Sequence, residues 1–369
     1  MKDARIEKLA DLIVNYSIEA QPRQKILIHG ELGAEPLMAA VRRKCFQAGA
    51  VPFVIINTHD YFESIYQYAD PEIYADILAP LKHFVETHDA RVRIRGELNT
   101  KAASNVDPEL VSKFFGNYGE ITQTMLKREA MGELKWVVAL CPTNAYAMDA
   151  NMSLDEYEYF VFNACMPDMD DPVGYWKGVF ARQQKAVEWL NRKNNVHITA
   201  PGTDLTLSIA GRPFVNCACK ANVPDGEIFT SPVENSANGF VHFTYPTMFE
   251  GFEVDDVRLE FKDGKVVKAT AGKNQDFLLR KLDTDPGARF LGEFAIGTNN
   301  GISQFTGQIL FDEKIGGSFH MALGQSYPES KGENQSAIHW DMICDLRNGG
   351  AITVDGELFY KNGTFMIEM

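Results

Sequence analysis

The sequence lacks any apolar segment approaching the roughly 18 residues that cross a bilayer as a helix. Its first residues, Met1 to Arg5, lead into a pattern that carries acidic side chains, and they lack the continuous apolar region of a signal peptide. We therefore expect a soluble protein that is not exported and that works in the cytoplasm.

Basic residues are also scarce in this chain. Its 36 lysines and arginines stand against 50 aspartates and glutamates, which leaves a formal net charge of -14 at pH 7. A field of this sign repels nucleic acid backbones and anionic lipid surfaces. Nucleic acids and membranes are therefore not expected as partners.

The six cysteines are few and scattered, so they do not form the compact disulfide framework of a small secreted domain. Such usage is typical of a reducing cytosol. The single close pair, Cys217 and Cys219, has no second pair to complete a structural zinc site. Its apolar setting favours two buried strand residues.

The length of 369 residues exceeds the roughly 250–300 residues that one hydrophobic core usually serves, which predicts two domains. Hydrophobic residues make up 45% of the chain and aromatic residues 11%. This composition supplies packed cores and excludes a disordered or fibrous chain.

Residues 1–195 are predicted to form an α/β domain with a mostly parallel, wound sheet. Helical spacing of apolar side chains over residues 35–48 predicts a helix, and two more helices are expected at about 154–165 and 173–191. The turn at residues 29–35 carries two acidic residues and lacks the glycine pattern that cradles phosphate, so no nucleotide site is expected. Apolar runs predict strands at residues 25–29, 51–56, 90–94 and 135–140.

Residues 196–369 are predicted to form a second, α+β domain with mainly antiparallel strands. Beyond residue 195 the chain changes to short β-rich segments broken by Gly, Pro and Asn, which places the boundary there. Asp263-Gly264 and Asn362-Gly363 each separate two strand-like runs, and such pairs are typical of two-residue hairpin turns.

This second domain contains a pattern of histidines and acids that suggests a metal site. His339 and Asp341 lie two positions apart, so on a strand they point to one face and can bind one cation. His320 lies nearby in the chain, and Tyr327 follows it by seven residues. Eight histidines and 50 acids give about one such His-x-acid pair by chance, so the pair alone carries little weight.

Two glutamates strengthen the pattern because their neighbours are apolar. Glu227 and Glu293 lie in strand-like segments, where an acid is costly to bury unless it is paired or bound to a metal. The competing interpretation is a set of strand-edge acids and ordinary core histidines.

Four blocks of the second domain resemble the aminopeptidase T and S family of dinuclear metallopeptidases, and they occur in the same order. The first domain is similar through its initial βαβ unit, IRGE at 94–97 and CPT at 141–143, so the resemblance covers nearly the whole chain. The four blocks are PDGEIFTSP at 224–232, LGEFAIGTN at 291–299, DEKIGGSFHMALG at 312–324 and SAIHWDMI at 336–343.

The resemblance implies two divalent metal ions held by six residues. All six residue types are present here, as Glu227, Glu293, His320, Tyr327, His339 and Asp341. Mixed oxygen and nitrogen ligands suit Zn²⁺, Co²⁺ or Mn²⁺. Spacing along the chain does not identify the carboxylate that bridges the two ions.

A pair of such ions activates a water molecule between them and stabilises the oxyanion that forms when the water attacks a peptide carbonyl. If a metal ion or an acid also binds the free α-amino group, only the N-terminal residue is in register for cleavage. The expected function is therefore an aminopeptidase acting on peptides. Glu293 is the first choice for the general base and Glu227 the second.

Two other functions use nearly the same residues. His320, His339 and Asp341 alone make the two-histidine, one-carboxylate set of mononuclear Fe(II) enzymes, and ring-cleaving dioxygenases of the dihydroxypyridine type are similar in fold to this peptidase family. Glu227 and Glu293 favour the hydrolase, because a mononuclear iron site needs neither.

The other alternative is a binding or assembly protein without activity. Structural metal sites favour Cys and His, so the carboxylates and the tyrosine argue against it. The family resemblance further implies a homodimer whose first domains help to enclose the active sites.

Overall fold

Helices dominate the first half of the chain and strands the second. The computed structural model describes residues 3–369. The helices are α1 (Ala4–Asp11), α2 (Glu35–Gln47), α3 (Tyr61–Tyr68), α4 (Tyr74–Thr87), α5 (Pro108–Ala130), α6 (Asn144–Asp149), α7 (Leu154–Cys165), α8 (Pro172–Leu190), α9 (Gln275–Leu282) and α10 (Ile309–Asp312). A π-helical segment at Leu12–Ser17 and 3₁₀ turns at Leu32–Ala34, Pro71–Ile73 and Pro328–Ser330 complete them.

The strands are short and mostly three to seven residues long. They are β1 (Lys25–Glu31), β2 (Val51–Asn57), β3 (Ala90–Arg95), β4 (Lys135–Leu140), β5 (Asn195–Ala200), β6 (Thr203–Ser208), β7 (Val215–Cys217), β8 (Asn222–Val223), β9 (Glu227–Thr230), β10 (Asn238–His242), β11 (Thr247–Phe249), β12 (Phe252–Val254), β13 (Arg258–Lys262), β14 (Lys265–Thr270), β15 (Leu291–Gly297), β16 (Ser318–Gly324), β17 (His339–Asp345), β18 (Ala351–Val354), β19 (Glu357–Lys361) and β20 (Thr364–Phe365).

The first unit contains a five-stranded parallel sheet in the order β2-β1-β3-β4-β8. Strand β1 is apolar on both faces, with Ile26, Leu27 and Ile28 fully buried, as expected for a parallel sheet covered by helices. Helix α2 places Leu37 and Val41 on its buried face, at the predicted spacing. The predicted wound, parallel sheet is confirmed.

The second unit contains two antiparallel sheets of five and eight strands, and a two-stranded sheet of β11 and β12. One has eight strands in the order β14-β13-β10-β6-β5-β18-β19-β20, and the other, called the central sheet below, has five in the order β17-β16-β15-β9-β7. Both predicted hairpins are confirmed: β13 and β14 flank Asp263-Gly264, and β19 and β20 flank Asn362-Gly363. All four turn residues have positive φ, as a type I′ turn requires. The predicted antiparallel second domain is therefore confirmed as a fold class.

The contacts divide the chain between residues 173 and 174, in the first turn of helix α8, and the boundary predicted near residue 195 stays a prediction. Unit 1 comprises residues 1–173 and 219–224, and unit 2 comprises residues 174–218 and 225–369. Helix α8 joins unit 2 because its Ala186, Val187 and Leu190 belong to that unit's core. Strand β8 returns to unit 1 because it pairs with β4. The roles predicted for residues 1–195, as scaffold, dimerisation domain and site cover, stay predictions.

The expected strand pair of cysteines is only half correct. Cys217 ends strand β7, whereas Cys219 is buried outside any strand with a φ of 58°. Over residues 3–369, none of the helices combines the length and the apolar character needed to span a membrane.

Candidate metal centre

The central sheet has one apolar face and one face that carries the predicted site. In strands β15, β16 and β17 the side chains alternate, because successive residues of a strand point to opposite faces. One set, which includes Phe294, Phe319 and Trp340, lies in the core of unit 2. The alternate set includes the histidines and acids that the sequence singled out.

Strand register brings these residues together. Glu293 pairs with Ala322, and Ala322 pairs in turn with Asp341, so the two carboxylates stand in one row across three strands. His320 pairs with Ala295, and His339 pairs with Gly324. Directly opposed residues of antiparallel strands point to the same face. The small partners leave space above the sheet for the longer ligand side chains.

Glu227 reaches the same face from strand β9, where it pairs with Gly297 of β15. Its carboxylate oxygen Oε2 lies 3.5 Å from Nε2 of His320. Oε1 of Glu293 lies 3.4 Å from the same nitrogen. Ligand atoms of Glu227, Glu293 and His320 all fall within 4.8 Å of one another, which is the spacing of a shared metal ion.

A second cluster lies beside the first. Nε2 of His339 is 3.2 Å from Oε2 of Glu293 and 3.5 Å from Oδ1 of Asp341. The ligand atoms of these three residues also lie within 4.8 Å of one another. Nδ1 of His339 donates to the carbonyl oxygen of Gln325 at 2.8 Å, which leaves Nε2 to face the carboxylates. Glu293 therefore belongs to both clusters, with one oxygen toward each histidine.

Tyr327 lies at the edge of the second cluster. Its ring centroid is 4.8 Å from that of His339 and 5.6 Å from that of Phe229. The structure thus brings all six predicted residues to one place, five by direct approach of ligand atoms and Tyr327 through its ring contact.

Two functional candidates were missed by the sequence reasoning. Glu313 forms a third cluster with His320 and Asp341, in which the ligand atoms again lie within 4.8 Å of one another. Lys314 is buried, with a side chain only 1% exposed, and its Nζ donates to Oε1 of Glu227 at 2.6 Å. Both lie within the block at 312–324, where an adjacent acid and lysine in an otherwise apolar setting were the available signal.

Electrostatics in this centre favour bound positive charge. Burial acts to lower the pKa of His320, but Glu293, Glu227 and Asp341 raise it to about 9. The pKa of His339 is likewise raised well above its ordinary value, since Tyr327, Asp341 and Glu293 outweigh its burial. Burial acts to raise the pKa of Glu293, but the two histidines lower it to about 2. Without a metal ion, protons on the histidines balance the carboxylates.

The same surroundings raise the pKa of both Tyr327 and Glu313. The charge on His339 acts to lower the pKa of Tyr327, but burial and the nearby carboxylates leave it above its ordinary value. Burial raises the pKa of Glu313 to about 8, with Glu227 and Asp341 adding to the rise and Lys314 opposing it.

The donor set fits divalent metal ions. Oε2 of Glu227 and Oδ1 of Asp341 are buried and accept no hydrogen bond within the described part of the chain. A buried carboxylate oxygen left in this state is costly unless it binds a cation. Carboxylates and imidazoles in a buried setting are ligands for zinc, cobalt and manganese.

Comparison with known proteins gives one family over the whole chain. A family described as "Thermophilic metalloprotease (M29)" matches residues 2–365. Aminopeptidase 2 of Geobacillus stearothermophilus is 26% identical, over 100% of this chain and 99% of the relative. Aminopeptidase T of Thermus thermophilus is 25% identical, over 97% and 95% of the two chains. Aminopeptidase PepS of Streptococcus thermophilus is 26% identical, over 98% of both.

Two solved structures share the fold. Wild-type AmpT from Thermus thermophilus superposes with a TM-score of 0.87 at 22% identity, over 98% of this chain and 99% of that one. The 2,5-dihydroxypyridine dioxygenase from Pseudomonas putida KT2440 superposes with a TM-score of 0.61 at 13% identity, over 98% and 96%. The expected likeness in fold to such dioxygenases is confirmed, and at these identities both likenesses concern the fold alone.

Proposed function

The chain belongs to the M29 family of metalloproteases, and from this premise we propose that it is an aminopeptidase with two divalent metal ions. The observation that carries the proposal is the position of Glu293. Its two carboxylate oxygens face the two histidines at 3.4 and 3.2 Å, and each histidine belongs to a separate ligand cluster. If two ions bind, a carboxylate placed in this way would be a ligand of both.

We assign one ion to Glu227, Glu293 and His320 and the other to Glu293, His339 and Asp341, with Tyr327 adjoining the second. Zn²⁺, Co²⁺ and Mn²⁺ all suit these ligands. When bound, such a pair of ions lowers the pKa of a water molecule and stabilises the oxyanion of a peptide under attack.

The general base is best placed in Glu313. Both oxygens of Glu293 face the histidines, and both oxygens of Glu227 are also engaged, Oε1 by Lys314 and Oε2 by His320, so the two glutamates expected from the sequence have little freedom to take up a proton. Glu313 accepts from Lys314 through Oε1, which leaves Oε2 for the proton. Glu313 approaches both His320 and Asp341. Burial raises the pKa of its carboxyl to about 8, which suits a group that gains and loses a proton near neutral pH.

Peptides are the proposed substrates. An exopeptidase must hold the free α-amino group of its substrate, and a metal ion of this centre would bind that group as a neutral amine. The net charge of -14 disfavours polyanionic substrates such as nucleic acids.

The test combines metal analysis with a substrate panel on the purified protein. We expect two ions per chain and release of the N-terminal residue from aminoacyl p-nitroanilides and short peptides, with loss of activity on chelation and recovery with Zn²⁺, Co²⁺ or Mn²⁺. The assays are run with and without oxygen. Peptidase activity that persists without oxygen supports the hydrolase, whereas an oxygen-dependent ring cleavage with one bound iron contradicts it.

We also propose a homodimer. Strand β2 is an edge of the parallel sheet, and its Val51, Phe53 and Ile56 are 55%, 48% and 41% exposed. An exposed apolar edge strand is a ready surface for another chain. Sedimentation of the native chain should give twice the mass of one chain, and Phe53→Glu should reduce it to a single chain if this edge is used. An unchanged mass in the variant would exclude the edge.

We further propose that the protein is located in the cytoplasm. Cys45, Cys141 and Cys344 carry buried free thiols, which are ordinary in a reducing compartment. Fractionation of the source cells should recover the protein with cytosolic markers.

A further inference from the structure

A fourth group of potential ligands adjoins the metal centre. Sγ of Cys217 and carboxylate oxygens of Asp225 and Glu227 lie within 4.8 Å of one another. Strand pairing produces this group, because Cys217 of β7 is opposite Glu227 of β9 and Asp225 precedes Glu227 by two residues. A thiolate with two carboxylates is a competent set for zinc or cobalt.

A lysine already supplies positive charge to this group. Nζ of Lys314 is 2.6 Å from Oε1 of Glu227 and also donates to Oε1 of Glu313, while its side chain is 1% exposed. The backbone holds it in place. Its N–H donates to the carbonyl of Phe311 at 2.9 Å, and its carbonyl accepts from Asn299 at 3.0 Å.

The lysine is the cation of two buried ion pairs. Its Nζ pairs with Glu227 and Glu313, whose side chains are 7% and 15% exposed. A metal ion bound to Cys217, Asp225 and Glu227 would lie beside this ammonium, and like charges a few ångströms apart repel strongly where water is excluded.

We propose that Lys314 is an internal cation that takes the place of a third metal ion among Cys217, Asp225 and Glu227. It thereby limits the centre to two ions. It also positions Glu227, because Oε1 is held by the ammonium and Oε2 is left facing His320 at 3.5 Å. This inference rests on the proposed two-ion centre, and Lys314 acts in it as a positioning residue.

Cobalt binding tests the inference directly, because a cobalt ion bound to a thiolate gives a charge-transfer absorption band that oxygen and nitrogen ligands do not. The native protein, Lys314→Met and the exposed-site control Lys262→Met are each stripped of metal and titrated with Co²⁺. We expect two ions and no thiolate band for the native protein and the control. Lys314→Met should bind three ions and show the band, and the added Cys217→Ser change should remove the band.

A folded Lys314→Met that binds two ions without the band would overturn the inference, as would a thiolate band in the native protein. If Lys314→Met fails to fold, the Cys217→Ala variant provides the test. It should retain both metal ions if Lys314 occupies the group of Cys217, Asp225 and Glu227. It should lose one ion if a metal ion occupies that group. A native protein that binds no ion refutes the proposed function instead, so the two failures are distinguishable.

Discussion

Metal affinity should depend steeply on pH, because each metal ion must displace a proton from a histidine. In the metal-free protein the carboxylates of Glu293, Glu227 and Asp341 outweigh the burial of His320 and raise its pKa to about 9. The metal-free protein therefore binds this proton at neutral pH, and the metal-bound protein does not. By linkage, raising the pH favours the metal-bound form.

The size of the effect follows from the same pKa. At pH 7 a histidine with a pKa of about 9 is deprotonated in roughly one molecule in a hundred. The apparent affinity at pH 7 is then about 100-fold below its value above pH 9, which corresponds to about 2.7 kcal/mol. Between those limits the affinity should rise about tenfold per pH unit. His339 acts in the same direction, whereas Glu293, with a pKa of about 2, stays ionised throughout.

The assay is a competition titration of the metal-free protein with Zn²⁺ against a chelator of known protonation behaviour, from pH 5.5 to 8. Proton release is measured in parallel by calorimetry in two buffers that differ in ionisation enthalpy. The control is His197→Gln, because His197 pairs with Asp204 on strands β5 and β6 of the eight-stranded sheet, outside the central sheet, and its loss should leave the slope unchanged. An affinity independent of pH, with no proton released, would refute the charge balance described for this centre.

Four further outcomes are expected. Glu313→Gln should keep two ions and reduce turnover by orders of magnitude, because it removes the proposed base and no proposed ligand; near-normal turnover would contradict that role. Glu293→Gln should leave the fold and its melting temperature largely intact but lose turnover together with bound metal, whereas two ions with full activity would exclude the bridging position. His339→Ala should lower the metal content by one ion, as measured by elemental analysis, and an unchanged content would show that His339 is not a ligand. Gly324→Ala should destabilise the protein by about 2 kcal/mol or more in urea unfolding, because its φ is 102° and an added Cβ would lie 2.2 Å from the carbonyl oxygen of Ile338.

Local patterns predicted the elements well where one interaction dominates. The hairpins at Asp263-Gly264 and Asn362-Gly363 depend on two residues that tolerate positive φ, and both form as predicted. Strand β4 was predicted from a single run of apolar residues, and it has the predicted bounds. The division into units was not predictable in this way. It depends on the contacts of helix α8 and on strand β8, which pairs with a partner more than 80 residues earlier in the chain.

The ligand residues could be named from the sequence because their types and order match a family pattern. Their roles could not. Spacing along a strand shows that His339 and Asp341 share a face, but the row that joins Glu293 to Asp341 through Ala322 is a matter of register between three strands. The sequence offers a signal that Glu313 and Lys314 are unusual, but it does not show the roles proposed for them, because those roles depend on approach to side chains from other strands.

The sequence by itself determined the fold class and the two kinds of sheet, because these follow from periodicity and turn chemistry, and its resemblance to a known family implied the six candidate ligands. Only the tertiary structure decided that Glu293 lies between the two histidines and that a buried lysine occupies one oxygen of Glu227. The physical reason is that a charge acts across a few ångströms of low-dielectric space, whatever its distance along the chain. Which carboxylate bridges and which one exchanges a proton is therefore a property of strand register and burial.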